Sequence, residues 1–179
     1  MANYTSPKTW TTGDVLTAAD MNTYVRDNVI FLANDRPKVR LYRSTDQSIP
    51  SANPQVVQFT SETFKNVASL HSNSTNNSRI SVPSAYAGLW MFTAAVTFEA
   101  NATGFRQIDI LYNSSTVIAR QLVGSAAGAT PTNVTVTTVY QMTGNDWVEV
   151  QVNQNSGSSL YVKANTDFSP VFSGVWMMN

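Results

Sequence analysis

The chain has no cysteine and one histidine, His71. Without cysteine there are no disulfides and no thiolate metal ligands. A lone histidine lacks the convergent partners that a zinc centre or a histidine-based catalytic site needs. Charge is scarce as well: Lys, Arg, Asp and Glu together make 12% of 179 residues, and their formal sum is zero. That balance provides no pull toward nucleic acid or an anionic membrane. No apolar run approaches bilayer-spanning length, so no membrane insertion is expected. The opening MANYTSPKTW lacks the basic start and apolar centre of a secretory signal. Glycine-rich phosphate loops, nucleophile elbows and nucleotide fingerprints are missing too, and no cofactor is expected.

What is present is a chain long enough for one domain with a real core plus a short extension. Its surface must be built largely from Asn, Ser, Thr and Gln. Residues 1–16 read as polar and irregular. Thr17 is placed to cap a helix, with Asp20 three residues on as a short-armed capping box. The spacing predicts a helix over 18–32, with Met21, Val25, Asn28 and Leu32 on one stripe. So short a stripe needs a partner: its own domain, sister helices or another protein. The intermolecular reading is preferred, with Asn28 setting register in a helical bundle. Pro37 ends the helix, because the residue before proline avoids the α region. The expected division is therefore an anchor, 1–37, and a head, 38–179.

Beyond Pro37 the period becomes alternating. Lys38–Arg43 reads as a strand whose basic residues guard a solvated sheet edge. Gln55–Thr60, Phe105–Tyr112, Thr116–Val123, Thr132–Met142, Trp147–Val152, Leu160–Ala164 and Val171–Met178 follow, with Ser61–Leu70 ambiguous. The centre is Ile80–Val96: a short strand, Pro83, a turn to Gly88, then a long apolar strand. Trp90, Phe92, Ala94, Val96 and Phe98 share one face of that strand; Leu89, Met91, Thr93, Ala95 and Thr97 share the other. Apolar residues on both faces imply burial on both sides, one by the core and one by a partner subunit. Short strands at nearly regular spacing mean an all-β sandwich or barrel.

Several pieces carry a resemblance. Val82-Pro83 followed by Gly88-Leu89-Trp90-Met91-Phe92 resembles the proline, then glycine–aromatic–x–aromatic pattern of complement-type heads and tumour-necrosis-factor relatives, with Trp90 where tyrosine is usual. Tyr112-Asn113-Ser114 resembles a turn that normally reads asparagine–glycine. Gly144-Asn145-Asp146-Trp147-Val148 resembles that family's glycine–aspartate–x–valine turn, with Asn145 inserted. Phe172-Ser173-Gly174-Val175 resembles its closing strand. The match covers roughly residues 50–178. It implies an antiparallel jelly-roll sandwich, all-β behind one short N-terminal α-helix, assembled as a homotrimer. The segment Trp10–Asn22 is similar to openings of tailed-phage fibre and minor tail proteins.

Together these imply a bacteriophage virion protein, assembled in the host cytoplasm and exposed on the particle surface. The expected role is a trimeric appendage at a tail tip or fibre that binds a host receptor or glycan. Capsid decoration and a carbohydrate-binding module are the alternatives; an enzyme is not expected, because no working carboxylate pair is in sight. Asp146 and Glu149 fall on opposite faces of one strand and are assigned to turn formation and solvation. The sequons at Asn73, Asn76, Asn101, Asn113 and Asn133 are compositional accidents in a bacterial setting. The trimer interface is expected at Leu89, Met91, Phe172, Trp176 and Met178. Other virion proteins would be met through residues 1–36. Receptor contact is expected on polar loops at Asn73, Asn76, Ala127 and Asn155, and Trp147 or Tyr161 could stack on sugars.

Overall fold

The computed structural model describes residues 4–128, 130–165 and 169–178, so position 129 of the small-residue loop and the first three residues of the N-terminal stretch lie outside it. The chain divides into two compact units, Met1–Pro37 and Lys38–Asn179.

In the first unit a helical stretch starts at a capping box. Thr17 Oγ1 accepts from Asp20 N at 3.1 Å, and Asp20 Oδ2 accepts from Thr17 N at 3.4 Å. The helix is not uniform. α-Helical turns at Ala18–Asp20 and Asp27–Ile30 alternate with wider π turns at Met21–Arg26 and Phe31–Asp35. It stops at Arg36, which is extended (ψ 132°) ahead of Pro37. The π turns shift the phase of the expected stripe. Asn28 is buried, its side chain accepting from Thr5 N at 2.9 Å and donating to Thr5 O at 2.7 Å and Tyr24 O at 3.1 Å. It therefore ties down its own N-terminal segment; the bundle-register role is corrected. Phe31 is buried and meets the Tyr4 ring.

Among its described residues the second unit is a two-sheet antiparallel sandwich of twelve strands: β1 (Lys38–Tyr42), β2 (Gln47–Ile49), β3 (Gln55–Val56), β4 (Ser61–Lys65), β5 (Arg79–Val82), β6 (Gly88–Phe98), β7 (Phe105–Tyr112), β8 (Thr116–Gly124), β9 (Thr132–Met142), β10 (Asp146–Gln154), β11 (Leu160–Val162) and β12 (Val171–Met178). One sheet runs β2-β11-β6-β12-β1-β4, with β9 on the other side of β6; the second runs β3-β10-β7-β8, with β5 beside β10. β6 is the centre of the larger sheet, paired with β9 over its full length and with β12 over Leu89–Ala95. Its inward face, Trp90, Phe92, Ala94, Val96 and Phe98, is buried to 1% exposure or less. Ile80, Ile108, Ile110, Val148, Val150 and Val152 of the smaller sheet complete the core. β1 is not an edge strand as its basic residues had suggested. It lies between β12 and β4, and Ser61–Leu70 resolves into β4 and a 3₁₀ turn at Ala68–Leu70.

Candidate functional site

The outward face of the larger sheet is the first candidate. Met91 (38% exposed) is flanked in register by Val139 of β9 (48%) and Val175 of β12. Leu89 lies half-buried beside them, and Met177, at 37%, extends the patch along β12. Below Met91 the sheet forms a shallow groove of about 160 Å³, lined almost wholly by apolar surface from Lys38, Phe64, Met91, Thr93, Ser173 and Val175. Two expected interface residues do not belong here. Phe172 and Trp176 are 0% and 5% exposed and point into the domain's own core; Phe172 packs on Phe59 and Phe92, and Trp176 Nε1 donates to Ala87 O. Strict alternation would put Met178 on the same face as Phe172 and Trp176. A register shift between Trp176 and Met178 breaks the alternation, and Met178 is 56% exposed opposite Leu89. Val139, Val175, Met177 and Phe64 were missed. For Val175 the sequence signal was its opposite parity to Phe172 and Trp176.

Three residues of the helix stripe remain open among the described residues: Met21, Val25 and Leu32 are 41–49% exposed.

The expected contact loops form two groups. Asn73 and Asn76 are exposed in the segment leading into β5. Ala127 and Asn155 are exposed on loops that meet at the Gly104 turn, where Gly104 O accepts from Ser125 N and Asn155 Oδ1 accepts from Phe105 N. Gly104 has a φ of +78°, and a Cβ there would lie 2.6 Å from Asn155 O, so only glycine lets the two loops close. Beneath this end lies Arg106, fully buried. Its guanidinium donates to the carbonyls of Asn101, Thr103 and Phe105, and burial pulls its pKa down.

Buried polar groups occupy the smaller sheet. Asp146 faces inward and accepts from Tyr112 Oη at 2.7 Å, Asn113 Nδ2 at 2.9 Å, Thr143 N at 2.9 Å and Thr143 Oγ1. Glu149 faces outward and accepts from Ser78 Oγ, Arg79 Nε and Ser114 Oγ. The opposite faces agree with the sequence reading. Solvation does not, since the two residues are 8% and 4% exposed. His71 is buried as well: Nδ1 faces Glu62 at 2.9 Å and Nε2 faces Asn77 O at 3.2 Å, while Lys65 reaches Glu62 at 2.8 Å. Burial works to raise the Glu62 pKa, and the bonds from Lys65 and His71 outweigh it and bring it below the usual value. Among the described residues no group of three or more His, Asp or Glu is placed to hold a metal ion, and no helix is long and apolar enough to cross a membrane.

No protein-family model matches the chain, and no curated protein matches its sequence. Solved structures do match. The globular domain of zebrafish complement 1qA protein is similar over 80% of this chain and 99% of its own, with 13% identity and a TM-score of 0.53. Murine APRIL, in a crystal structure at pH 5.0, is similar over 79% of this chain and 99% of its own, with 12% identity and a TM-score of 0.57. The two-sheet sandwich is thus an antiparallel jelly roll of the kind shared by complement heads and tumour-necrosis-factor relatives.

Proposed function

We propose that this protein is a bacteriophage virion component, a homotrimeric surface appendage at a tail tip or fibre. Its head would bind a host-cell glycan or protein, and residues 1–36 would attach it to other virion proteins. The observation that carries the reading is the apolar outward face around Met91. A central strand with Met91 facing out between Val139 and Val175, and Leu89 facing out opposite Met178, is costly to leave in water, and closed symmetry is the usual way to cover it. The open Met21–Val25–Leu32 stripe supports attachment of the N-terminal unit to another chain. The similarity of Trp10–Asn22 to tail-protein openings supports a phage tail.

Light scattering on the purified protein should return the mass of three chains. Met91→Asp places a charge at the centre of the proposed interface and should shift that mass to one chain while the far-UV spectrum is kept. A wild-type monomer at micromolar concentration would sink the trimer.

Quantitative mass spectrometry of intact particles tests the location. A few to a few tens of copies per particle fit a tail appendage, and purified head should then compete with the phage for adsorption. Hundreds of copies would replace this reading with capsid decoration.

A further inference from the structure

On the outward face of the smaller sheet, one arginine is held more firmly than a surface ion pair requires. Arg79 of β5 sits opposite Glu149 of β10 in the strand register. Its Nε donates to Glu149 Oε1 at 3.2 Å, and its guanidinium carbon lies 4.3 Å from the centre of the Trp147 ring. Trp147 is fixed in turn, its Nε1 donating to Ser114 Oγ at 3.1 Å. Ser114 Oγ donates to Glu149 Oε2, and Ser78 Oγ donates to Oε1 at 2.6 Å. Carboxylate, indole and guanidinium thus form one closed set.

The turn that supplies Ser114 shows that this set is favoured over local ease. Asn113 and Ser114 have φ of 47° and 62°. Two consecutive left-handed residues are the pattern of an Asn-Gly hairpin turn, where glycine adopts the second position without strain. Serine at that position keeps the strain and gains the hydroxyl that bridges Trp147 to Glu149.

The fold uses one of the five N–H donors of Arg79. Among the described residues the four Nη–H donors find no acceptor, and the side chain is 28% exposed, so they face water. The Glu149 side chain is only 5% exposed and its oxygens are engaged below. What reaches solvent is therefore a planar fork of donors whose orientation was fixed during folding. Such a fork matches two oxygens of one oxyanion, and its fixed plane lowers the ordering cost of binding. Asn73, Ser74, Thr75 and Asn76 are exposed in the segment just ahead of β5.

We propose that Arg79, held by Glu149 and Trp147, is a subsite for the carboxylate or phosphate of an acidic saccharide. This deepens the surface-binding reading above and is independent of the trimer and of the particle. The test is a titration of ¹⁵N-labelled full chain followed at the Trp147 indole N–H resonance, assigned with Trp147→Phe. The probes are galacturonate, glycerol 1-phosphate and neutral galactose. Galacturonate, glycerol phosphate or both should shift the resonance saturably, and which one does so tells carboxylate from phosphate. Galactose should not. Arg79→Lys keeps the charge and loses the fork, so it should bind severalfold more weakly. Ser114→Gly relieves the turn, so it should fold at least as well and still bind more weakly. The subsite is overturned if neither anion gives a saturable shift, if galactose binds as well, or if Arg79→Lys binds equally. Light scattering on the same samples separates the two ideas, because a trimer that ignores both anions leaves the assembly standing without the subsite.

Discussion

Trp90→Ala is expected to remove about 3–5 kcal/mol of stability, the range for deleting a fully buried aromatic from a packed core. For a chain of this length that corresponds to a fall in melting temperature of roughly 10 °C. Trp90 is 0% exposed on the inner face of β6, near its start. Its ring stacks on Phe92 at 5.8 Å and 4°, it lies opposite Trp176 on β12 and Tyr140 on β9, and Nε1 donates to Tyr86 O at 2.9 Å. The substitution opens a cavity between the sheets and leaves a carbonyl of the Ser84–Tyr86 turn without its donor. Trp90→Phe separates the two contributions. It keeps most of the ring and loses the N–H, so it should cost about 1–2 kcal/mol. Urea denaturation of both variants checks the ratio; equal losses would mean that the hydrogen bond, not the ring, dominates.

That strand was legible because each level of the chain agrees there. Gly88 opens it, Pro83 blocks pairing before it, and apolar residues sit at every second position. Thr132–Met142 was read to its observed bounds for the same reason. The misses share another cause: alternation assigns a face and says nothing of what covers it. Gln107 and Asp109 alternate with the core residues Ile108 and Ile110 and so face away from the core, yet they are 9% and 0% exposed. Arg120 of β8 forks onto Asp109 at 2.8 Å through Nε and Nη2, and Gln107 Nε2 donates to the same carboxylate. No local pattern reveals a pair that depends on register between two strands. The same limit applies to Arg79, Trp147 and Ser114, which register and one turn bring together from residues far apart in sequence. Ser114 did carry a signal, since it replaced glycine in an Asn-Gly turn. The π turns in the N-terminal unit left no such mark, and they moved Asn28 out of the stripe its spacing implied.

Asp146→Ala should cost about 3 kcal/mol, because hydrogen bonds to a charged acceptor are worth about 1.5–3 kcal/mol each and the donors left behind regain only part of that from water. The carboxylate is 8% exposed and joins three segments: Tyr112 at the end of β7, Asn113 in the turn to β8, and Thr143 in the turn to β10. Asn113 passes the link on, its Oδ1 accepting from Trp147 N at 3.0 Å. Loss of Asp146 therefore loosens two turns at once. The same residue sets an acid limit. Burial works to raise its pKa, but the bonds from Asn113, Thr143 and Tyr112 outweigh that and hold it below the ordinary value. A folded-state pKa lower than the unfolded one means that the native chain binds fewer protons. The stabilisation is then complete above the unfolded aspartate value of about 3.9 and is lost as pH falls through the folded value. Glu149 behaves in the same way: burial opposes ionisation, and the bonds from Ser114, Ser78 and Arg79 more than offset it. Urea midpoints of the wild type should thus fall steeply with acidification below about pH 4. The alanine variant, weaker at neutral pH, should fall less steeply, so that the two curves converge in acid. Parallel curves would show that Asp146 titrates alike in the folded and unfolded chain, and would remove it as the source of the acid limit.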